Sequence, residues 1–348
     1  MFDVVSFWLD MGVDGFRLDV INMIFKDKKL RNDNLKSFFS NKQIFSRNQP
    51  ESYEILRDFR SLLDKYPNKT SVGEIYAPPP GSSKLATSFL GNGSDMLHLV
   101  FDFSLIFSVW KASSYYKIIN RYYRYIPPAG WACFFLSNHD MGRNIGRTIF
   151  SFHKHAKAKL HAVLLLTLKG TPFIYYGDEI GMENADIPKH QIRDLYGKFF
   201  YPFYKGRDGS RTPMQWNDTD FAGFSTTETY LPVNKNYKSI NVETESKDEN
   251  SIYSIYKRMI TLRKQHDILQ TGDIEFLNKG NKNILIFSRY LENKKIIVLL
   301  NFGFRRKKIE NNKVLIVLFS THKKNMTEID GTIFLEAFEG LVLESKKF

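Results

Sequence analysis

Short strand patterns alternate with helical patterns through the first 180 residues, and this alternation constrains the fold more than any other feature. The five strand patterns lie at residues 14–20, 70–76, 96–103, 131–136 and 172–176. Apolar residues at helical spacing occupy residues 2–9, 56–66, 105–125 and 153–168. Two neighbouring parallel strands need a long crossover between them, and a helix usually forms it. The sequence therefore predicts an α/β fold built from parallel βαβ units.

The pattern changes after residue 180. A long loop region runs over residues 181–246, and residues 252–269 again show helical spacing. After Gly272, only short strand patterns follow, at residues 284–289, 296–301, 314–319 and 341–343. We therefore expect two domains, an α/β domain over residues 1–270 and an all-β domain over residues 271–348.

Composition excludes several classes of protein. Hydrophobic residues make up 43% and charged residues 25% of the 348, which are ordinary globular proportions. The longest apolar runs are about six residues, far short of the ~20 that a membrane span needs. The start of the sequence lacks the features of a secretory signal, and Cys133 is the single cysteine, so no disulfide framework exists. We expect a cytoplasmic protein that does not act at a membrane.

The net charge of +13 raises the question of nucleic-acid binding. The charge is spread along the chain, and its densest run, residues 305–308, comes late. Tyrosines mix with basic residues at 115–125, a combination that also stacks on bases, but helical spacing favours an amphipathic helix there. We therefore predict no nucleic-acid partner.

Three acids come at or near the ends of predicted strands: Asp19, Glu74 and Asp140. The carboxyl ends of parallel barrel strands share one face, where active sites form. Arg17 lies two residues before Asp19, on the same side of the strand, so the two charges are placed to pair. Glycoside hydrolysis needs paired carboxylates, although a single acid at a strand end equally suits a helix cap. Gly73 is expected to leave room for a ligand beside Glu74.

The motifs around these acids resemble those of one enzyme family. Gly15–Asp19, Gly73–Glu74 and residues 135–140 resemble the second, third and fourth signature regions of glycoside hydrolase family 13, the α-amylase family. Further stretches resemble its α-glucosidase and oligo-1,6-glucosidase branch, at residues 177–182, 211–216, 222–224 and 236–242. The resemblance covers nearly the whole chain and is weakest after about residue 280.

The resemblance implies a role for each acid. Asp19 would be the nucleophile that forms a covalent glucosyl-enzyme, and Glu74 the general acid and then the base. Asp140 would hold ring hydroxyls and stabilise the transition state. Because the family retains anomeric configuration, the carboxyl groups of Asp19 and Glu74 should lie about 5–5.5 Å apart.

Four further residues receive roles from the resemblance. Arg17 would orient Asp19, His139 would bind the glucose in the cleavage subsite, and Arg143 would line the same pocket. A valine at the position of Val20 resembles α-1,6-acting members, although strand geometry alone also favours a β-branched residue. The loop at residues 188–211 resembles α-1,4-acting α-glucosidases instead, so the linkage stays open.

The implied fold is the C-terminal portion, strands four to eight, of a (β/α)₈ TIM barrel, followed by an antiparallel all-β C-terminal domain. The first three strands and the first signature region have no counterpart here. We therefore expect a fragment, a misassigned start codon, or one half of a split gene that assembles with a separately encoded N-terminal barrel half. The isolated chain is expected to have little or no hydrolase activity on its oligosaccharide substrate.

Two alternatives stay open. A non-catalytic remnant or partner subunit would share the fold, although such relatives typically lose the acids that are present here. A glucosyl transferase or isomerase of the sucrose or trehalose type would use the same acids with a sugar acceptor.

We predict no cofactor and no metal site: His153, His155 and His161 are interpreted as surface or core residues. The acids at 178–179 are expected to be structural or pocket-lining. Residues 214 and 216 could form a sugar-stacking platform, but we expect them to pack inside.

Overall fold

The computed structural model describes residues 1–34, 44–77, 82–146, 152–278, 280–322 and 327–345. A proline-rich loop predicted at residues 78–81 lies outside the described residues. The chain divides into two compact units. The first comprises Met1–Ser108 and Lys117–Phe134, and the second comprises Val109–Tyr116 and Phe135–Phe348.

Helices and strands alternate first, and strands then dominate. In the described ranges the α-helices are α1 Phe2–Asp10, α2 Glu51–Leu63, α3 Ser82–Ser88, α4 Ala112–Tyr125, α5 Lys154–Thr167, α6 Leu195–Phe200, α7 Val242–Lys247, α8 Ile252–Gln265 and α9 Asp267–Gln270. The first strands are β1 Gly15–Leu18, β2 Thr70–Glu74, β3 Leu99–Phe101, β4 Cys133–Phe135 and β5 Thr171–Phe173. The later strands are β6 Asp273–Phe276, β7 Ile284–Leu291, β8 Lys294–Asn301, β9 Lys307–Ile309, β10 Leu315–Ser320, β11 Glu328–Ile329, β12 Ile333–Leu335 and β13 Gly340–Ser345.

The first unit contains a parallel sheet in the order β1-β2-β3. Leu18 is in register with Gly73, and Glu74 with Phe101, so the carboxyl ends of these strands share one edge. Apolar residues of α2, among them Leu56 and Leu63, are buried in the core of this unit. The predicted parallel βαβ arrangement is confirmed for these strands.

Several strands are shorter than their apolar segments. The segment at 96–103 yields only Leu99–Phe101, because the Asp102 side chain accepts a hydrogen bond from the Ser104 amide and opens a 3-10 turn. The segment at 172–176 yields Thr171–Phe173, and the Asp178 amide donates to the Tyr175 carbonyl in the turn that follows. A side-chain cap follows the first of these strands, and a backbone turn follows the second.

The second unit contains a six-stranded antiparallel sheet in the order β11-β10-β13-β8-β7-β6, and the pair β12-β9. This confirms the predicted all-β character of the C-terminal region. Arg289 of β7 is fully buried and donates to the carbonyls of Thr167 at 2.7 Å and Gly272 at 2.6 Å. The sheet is thereby fastened to the end of α5 within this unit. The domain boundary at 270 stays a prediction.

Of the helices in the described ranges, none combines the length and hydrophobicity that crossing a bilayer requires.

Candidate active site

One guanidinium connects two of the three predicted acids. Arg17 Nη1 donates to Asp19 Oδ1 at 2.6 Å, and Arg17 Nη2 donates to Glu74 Oε2. Arg17 extends from β1, Glu74 ends β2, and these strands are neighbours in the parallel sheet. The predicted pairing of Arg17 with Asp19 is confirmed, and the structure adds Glu74 to it.

The two carboxylates differ in their surroundings. The Asp19 side chain is 68% exposed, whereas that of Glu74 is 4% exposed. An exposed carboxylate is well solvated as an anion, and a buried one depends on its charged neighbour for that stabilisation. Retaining hydrolysis uses two carboxyl groups in unlike roles, since one must attack as an anion and the other must deliver a proton.

The turn after β1 is held in place by Asn22. The Asn22 side chain donates to the carbonyl of Tyr76 and accepts from its amide, both at 3.2 Å. These bonds tie the segment after Asp19 to the segment after Glu74. Val20 begins this turn with a φ of 39° and is not part of the strand. The interpretation that strand geometry favours a valine at position 20 is therefore wrong, because the strand ends before Val20. A β-branched residue at positive φ is strained.

Gly73 has a packing role instead of a ligand-binding one. A Cβ there would lie 2.4 Å from Leu97 Cδ1 and 2.7 Å from Ile21 Cδ1, both of which belong to buried core residues. The expectation that Gly73 leaves room for a ligand is wrong, because core side chains already fill that space.

The third acid, Asp140, lies in the second unit and is paired with two arginines. Its Oδ1 accepts from Arg211 Nη2 at 2.6 Å and from Arg207 Nη1 at 3.0 Å. The Asn138 side chain accepts from the Asp140 amide at 3.0 Å, which fixes the turn after β4. His139 Nε2 lies 3.5 Å from Asp140 Oδ2, and its carbonyl accepts from Arg211 Nε at 2.8 Å.

A buried acid stands behind Arg207. Asp194, whose side chain is 1% exposed, accepts from Arg207 Nε at 2.9 Å and from the Arg207 amide at 2.7 Å. Burial alone would raise the pKa of Asp194, but the hydrogen bonds from Arg207 outweigh it and hold the pKa below its ordinary value. The same contact raises the pKa of Arg207. Asp194 therefore fixes the guanidinium that reaches Asp140.

Arg143 is buried below the protein surface. Its side chain is fully buried, Nη1 donates to the Tyr176 carbonyl at 2.5 Å, and the guanidinium lies 4.6 Å from the centre of the Tyr176 ring. The prediction that Arg143 lines a sugar pocket needs correction, because a residue with no exposed surface cannot touch a sugar. It supports Tyr176, which is exposed.

A cavity of about 640 Å³ opens beside Arg211. Tyr176, Glu179, Met214 and Trp216 are among its lining residues. Met214 is buried as predicted, but Trp216 is 49% exposed, so the prediction of interior packing is wrong for that side chain. A flat aromatic face next to charged groups suits sugar binding, because the ring supplies apolar contact area.

The acids at 178–179 divide into the two expected roles. Asp178 is buried and accepts from Ser137 Oγ at 2.9 Å, a structural contact. Glu179 lines the cavity, its Oε2 has no hydrogen-bond partner, and burial raises its pKa. Both interpretations are confirmed.

Two groups of residues fall outside the acid motifs. Of the predicted non-ligand histidines, His161 is buried and hydrogen-bonded to Tyr115. The described residues contain no group of three metal-ligating side chains.

Sequence reasoning missed Arg207 and Asp194, and it quoted Arg211 without a role. The Arg207 pairing was hidden in a long loop with no periodic pattern, whereas Arg211 stood inside a recognised motif.

The sequence matches the α-amylase catalytic-domain family over residues 1–272. Because this match covers more than half of the chain, the protein belongs to the α-amylase family.

Relatives and solved structures narrow the branch. The chain is 34% identical over 336 residues to the oligo-1,6-glucosidase of Parageobacillus thermoglucosidasius, covering 87% of this chain and 59% of that protein. It is 33% identical to a probable α-glucosidase of Rhizobium meliloti, covering 86% of this chain and 57% of that protein. The trehalulose synthase of Pseudomonas mesoacidophila superposes with a TM-score of 0.88 at 25% identity, over 99% of this chain and 67% of that one.

These comparisons confirm the resemblance to the α-glucosidase branch. They also confirm the fold, the C-terminal portion of a (β/α)₈ barrel followed by an antiparallel β region. The chain spans a little under three fifths of the length of the curated relatives that it matches.

Proposed function

We propose that this chain carries the catalytic carboxylates of a retaining α-glucosidase that releases terminal α-linked glucose from small oligosaccharides. The observation that supports this most is the sharing of Arg17 between exposed Asp19 and buried Glu74. The names of the relatives, α-glucosidase and oligo-1,6-glucosidase, favour the same activity.

The proposed reaction has two displacements. Asp19 attacks the anomeric carbon, the glycosidic bond breaks, and Glu74 gives its proton to the departing oxygen. Glu74 then removes a proton from water, the water oxygen attacks the same carbon, and the ester bond to Asp19 breaks. Two inversions give net retention, and both side chains return to their starting protonation states. In this scheme Arg17 keeps Asp19 oriented and charged.

Asp140 has a different part in the proposal. It binds ring hydroxyls and stabilises positive charge on the sugar, and it forms no covalent bond. Two arginines on one carboxylate suit this role, because they fix its position and lower its reactivity. His139, with a side chain 44% exposed, is proposed to donate to sugar hydroxyls.

The proposal also covers the linkage of the substrate, which stays open between α-1,6 and α-1,4, and the compartment of the cell. Val20 and the relatives named oligo-1,6-glucosidase favour α-1,6 linkages, whereas the relative named α-glucosidase and the loop at 188–211 leave α-1,4 linkages open. We place the enzyme in the cytoplasm, where the lone buried thiol of Cys133 stays reduced.

Product analysis tests the proposal. The chain is incubated with an aryl α-glucoside, maltose, isomaltose and sucrose, and the first product is followed by NMR before mutarotation. We expect slow turnover by the isolated chain, with α-glucose released first. Release of β-glucose would overturn the double displacement, and full relative-like turnover by the isolated chain would overturn the expectation that it is incomplete.

A second function has specific support. The superposed solved structures include a trehalulose synthase and an isomaltulose synthase, with TM-scores of 0.88 and 0.86. An isomerase would use the same carboxylates but pass the glucosyl group back to fructose instead of to water. Glucose and fructose as the main products from sucrose would favour hydrolysis. An isomeric disaccharide as the main product would favour this alternative.

A further inference from the structure

A second cavity, of about 430 Å³, lies within the second unit, beside helix α5 and the segments next to strands β10 and β13. It is lined by two residues of α5 and four from other segments, namely Ala156, Lys159, Asn250, Thr321, His322 and Phe338. None of them belongs to the candidate active site described above. Its volume is in the range of cavities that hold small molecules, with room for a monosaccharide.

The three lysines of α5 differ in what surrounds their amines. Lys154 forms an ion pair with Glu183. Lys157 is buried, and its Nζ lies 5.2 Å from the centre of the Trp110 ring. Lys159 is half-buried and lines the second cavity, and it forms no hydrogen bond or ion pair with any residue in the described ranges. Of these three amines, that of Lys159 is the one that a small molecule in the cavity can reach unpaired.

Burial also makes the neutral form of Lys159 more accessible. It lowers the pKa of the Lys159 ammonium below its ordinary value, and the negative charges of Asp248 and Glu245 oppose this only in part. A lysine amine attacks a carbonyl carbon only when it is neutral, and burial is how proteins activate such lysines. Lys159 therefore combines a nucleophilic atom with a cavity that can hold its partner.

The rest of the lining indicates which electrophile fits. Thr321 Oγ1 accepts from the Gly340 amide at 3.0 Å and lies 3.1 Å from His322 Nδ1, so these polar groups are held in place. The Phe338 ring meets the Phe304 ring edge to face, with 5.0 Å between their centres. Fixed polar groups beside an aromatic ring suit a polyhydroxylated molecule. The two acids near the amine disfavour an anionic donor such as an acyl phosphate.

We propose that Lys159 is a modification site, at which its amine forms an imine with the aldehyde of a reducing sugar held in this cavity. Lys159 Nζ bonds to the aldehyde carbon, and the carbonyl oxygen becomes a hydroxyl by taking one proton from the nitrogen. That hydroxyl then leaves as water with the second proton of the nitrogen, and a C=N double bond remains. The step consumes no oxidant or reductant. It goes beyond the proposed hydrolysis and does not depend on it, because the sugar is supplied free.

Reductive trapping tests the proposal. The full 348-residue chain is incubated with isotope-labelled glucose and cyanoborohydride, which converts an imine to a stable secondary amine. Mass spectrometry of fragments then locates the label. Lys159 should be labelled at least about tenfold faster than Lys154, because the cavity holds the sugar beside an unpaired amine. Lys154 is the matched control, since it lies on the same helix and is paired.

Two variants separate the cavity from the amine. Ala156 lies three residues before Lys159, on the same face of α5, so Ala156→Leu fills space in the cavity and keeps the amine. It should lower glucose labelling of Lys159 about tenfold, whereas formaldehyde, which needs little room, should still label it. Lys159→Arg should remove the label from this site. Circular dichroism checks the fold, and Asn250→Ala, at an exposed lining residue, replaces Ala156→Leu if that variant does not fold.

Three results would overturn the proposal. Equal labelling of Lys159 and Lys154 would mean that glucose reacts with surface amines in general. Labelling of Lys159 by formaldehyde but not by glucose would mean a reactive amine with no sugar site. Glucose labelling that the cavity variant leaves unchanged would mean that the sugar does not bind in the cavity.

Discussion

In the first compact unit one arginine binds two carboxylates, whereas in the second unit one carboxylate, that of Asp140, binds two arginines. Arg17 contacts both Asp19 and Glu74, and Asp140 accepts from both Arg207 and Arg211. The first group has two carboxyl groups around one guanidinium. With Asp194, which also accepts from Arg207, the second group has two carboxylates and two guanidiniums, and both arginines hold Asp140 in place. We propose that this difference separates the carboxyl groups that react from the one that binds.

The largest expected effect comes from replacing Asp19, the proposed nucleophile in the first group. In any preparation of the chain that hydrolyses an aryl α-glucoside, Asp19→Asn should lower kcat by at least about 10⁴-fold. The exposed side chain makes little packing contribution, so the variant should melt within about 2 °C of the parent. Steady-state kinetics and a thermal melt measure both. Loss of less than tenfold would remove Asp19 from the nucleophile role.

Glu74→Gln sharpens the distinction between the two reacting carboxyls. The variant cannot protonate a poor leaving group, so hydrolysis of oligosaccharides should fall by about 10²–10⁴-fold. An activated glucosyl fluoride needs no such proton, and the variant should still form the covalent adduct. Mass spectrometry of the intact protein detects it. Failure to form the adduct, with the fold intact, would show that Glu74 is not the general acid.

Removing one arginine from each group tests the comparison itself. Arg17→Met leaves two carboxylates without their shared cation and should lower kcat/KM by about 10²-fold or more. Arg207→Met leaves Arg211 on Asp140 and should cost about tenfold. The two variants are measured side by side on one aryl α-glucoside. Equal losses would mean that the two groups do not differ in the way proposed.

Asp194→Asn removes the support behind Arg207. Breaking a buried ion pair costs about 3 kcal/mol of unfolding free energy, which chemical denaturation measures. Because Arg207 holds the pKa of Asp194 below its ordinary value, the contribution is complete above about pH 5. It is lost as the pH falls below 3.8 and approaches the folded-state value. A difference between variant and parent that stays constant down to pH 3 would contradict this assignment.

The smallest expected effect concerns Glu179, the acid whose pKa burial raises. Folding penalises its charged form. The penalty is absent well below pH 4.5, grows as the pH rises above 4.5, and is complete above the higher folded-state pKa. Glu179→Gln should therefore raise Tm by a few degrees at pH 8 and leave it unchanged at pH 4. Differential scanning calorimetry at the two pH values measures this. A lower Tm at pH 8 would mean that the charge is stabilised by a contact that the amide loses.

Local patterns in the sequence predicted the first group better than the second. The period of two along a strand placed Arg17 and Asp19 together, and the alternation of strand and helix placed Glu74 at the neighbouring strand end. Asp194 and Arg207 are 13 residues apart in an irregular loop, and their pairing depends on tertiary contacts that no period reports. Val20 and Gly73 show a further limit. Val20 was expected in a strand but begins a left-handed turn. Gly73 was expected to leave room for a ligand, but core side chains pack against it.

The central claim is that Asp19 is the nucleophile of a retaining glycosidase, and trapping tests it most directly. A preparation that hydrolyses an aryl α-glucoside is treated with 5-fluoro-α-glucosyl fluoride, digested and sequenced by mass spectrometry. The account predicts one glucosyl ester, on Asp19, and no label in Asp19→Asn. A label on another residue, or continued hydrolysis with no label at all, would contradict it.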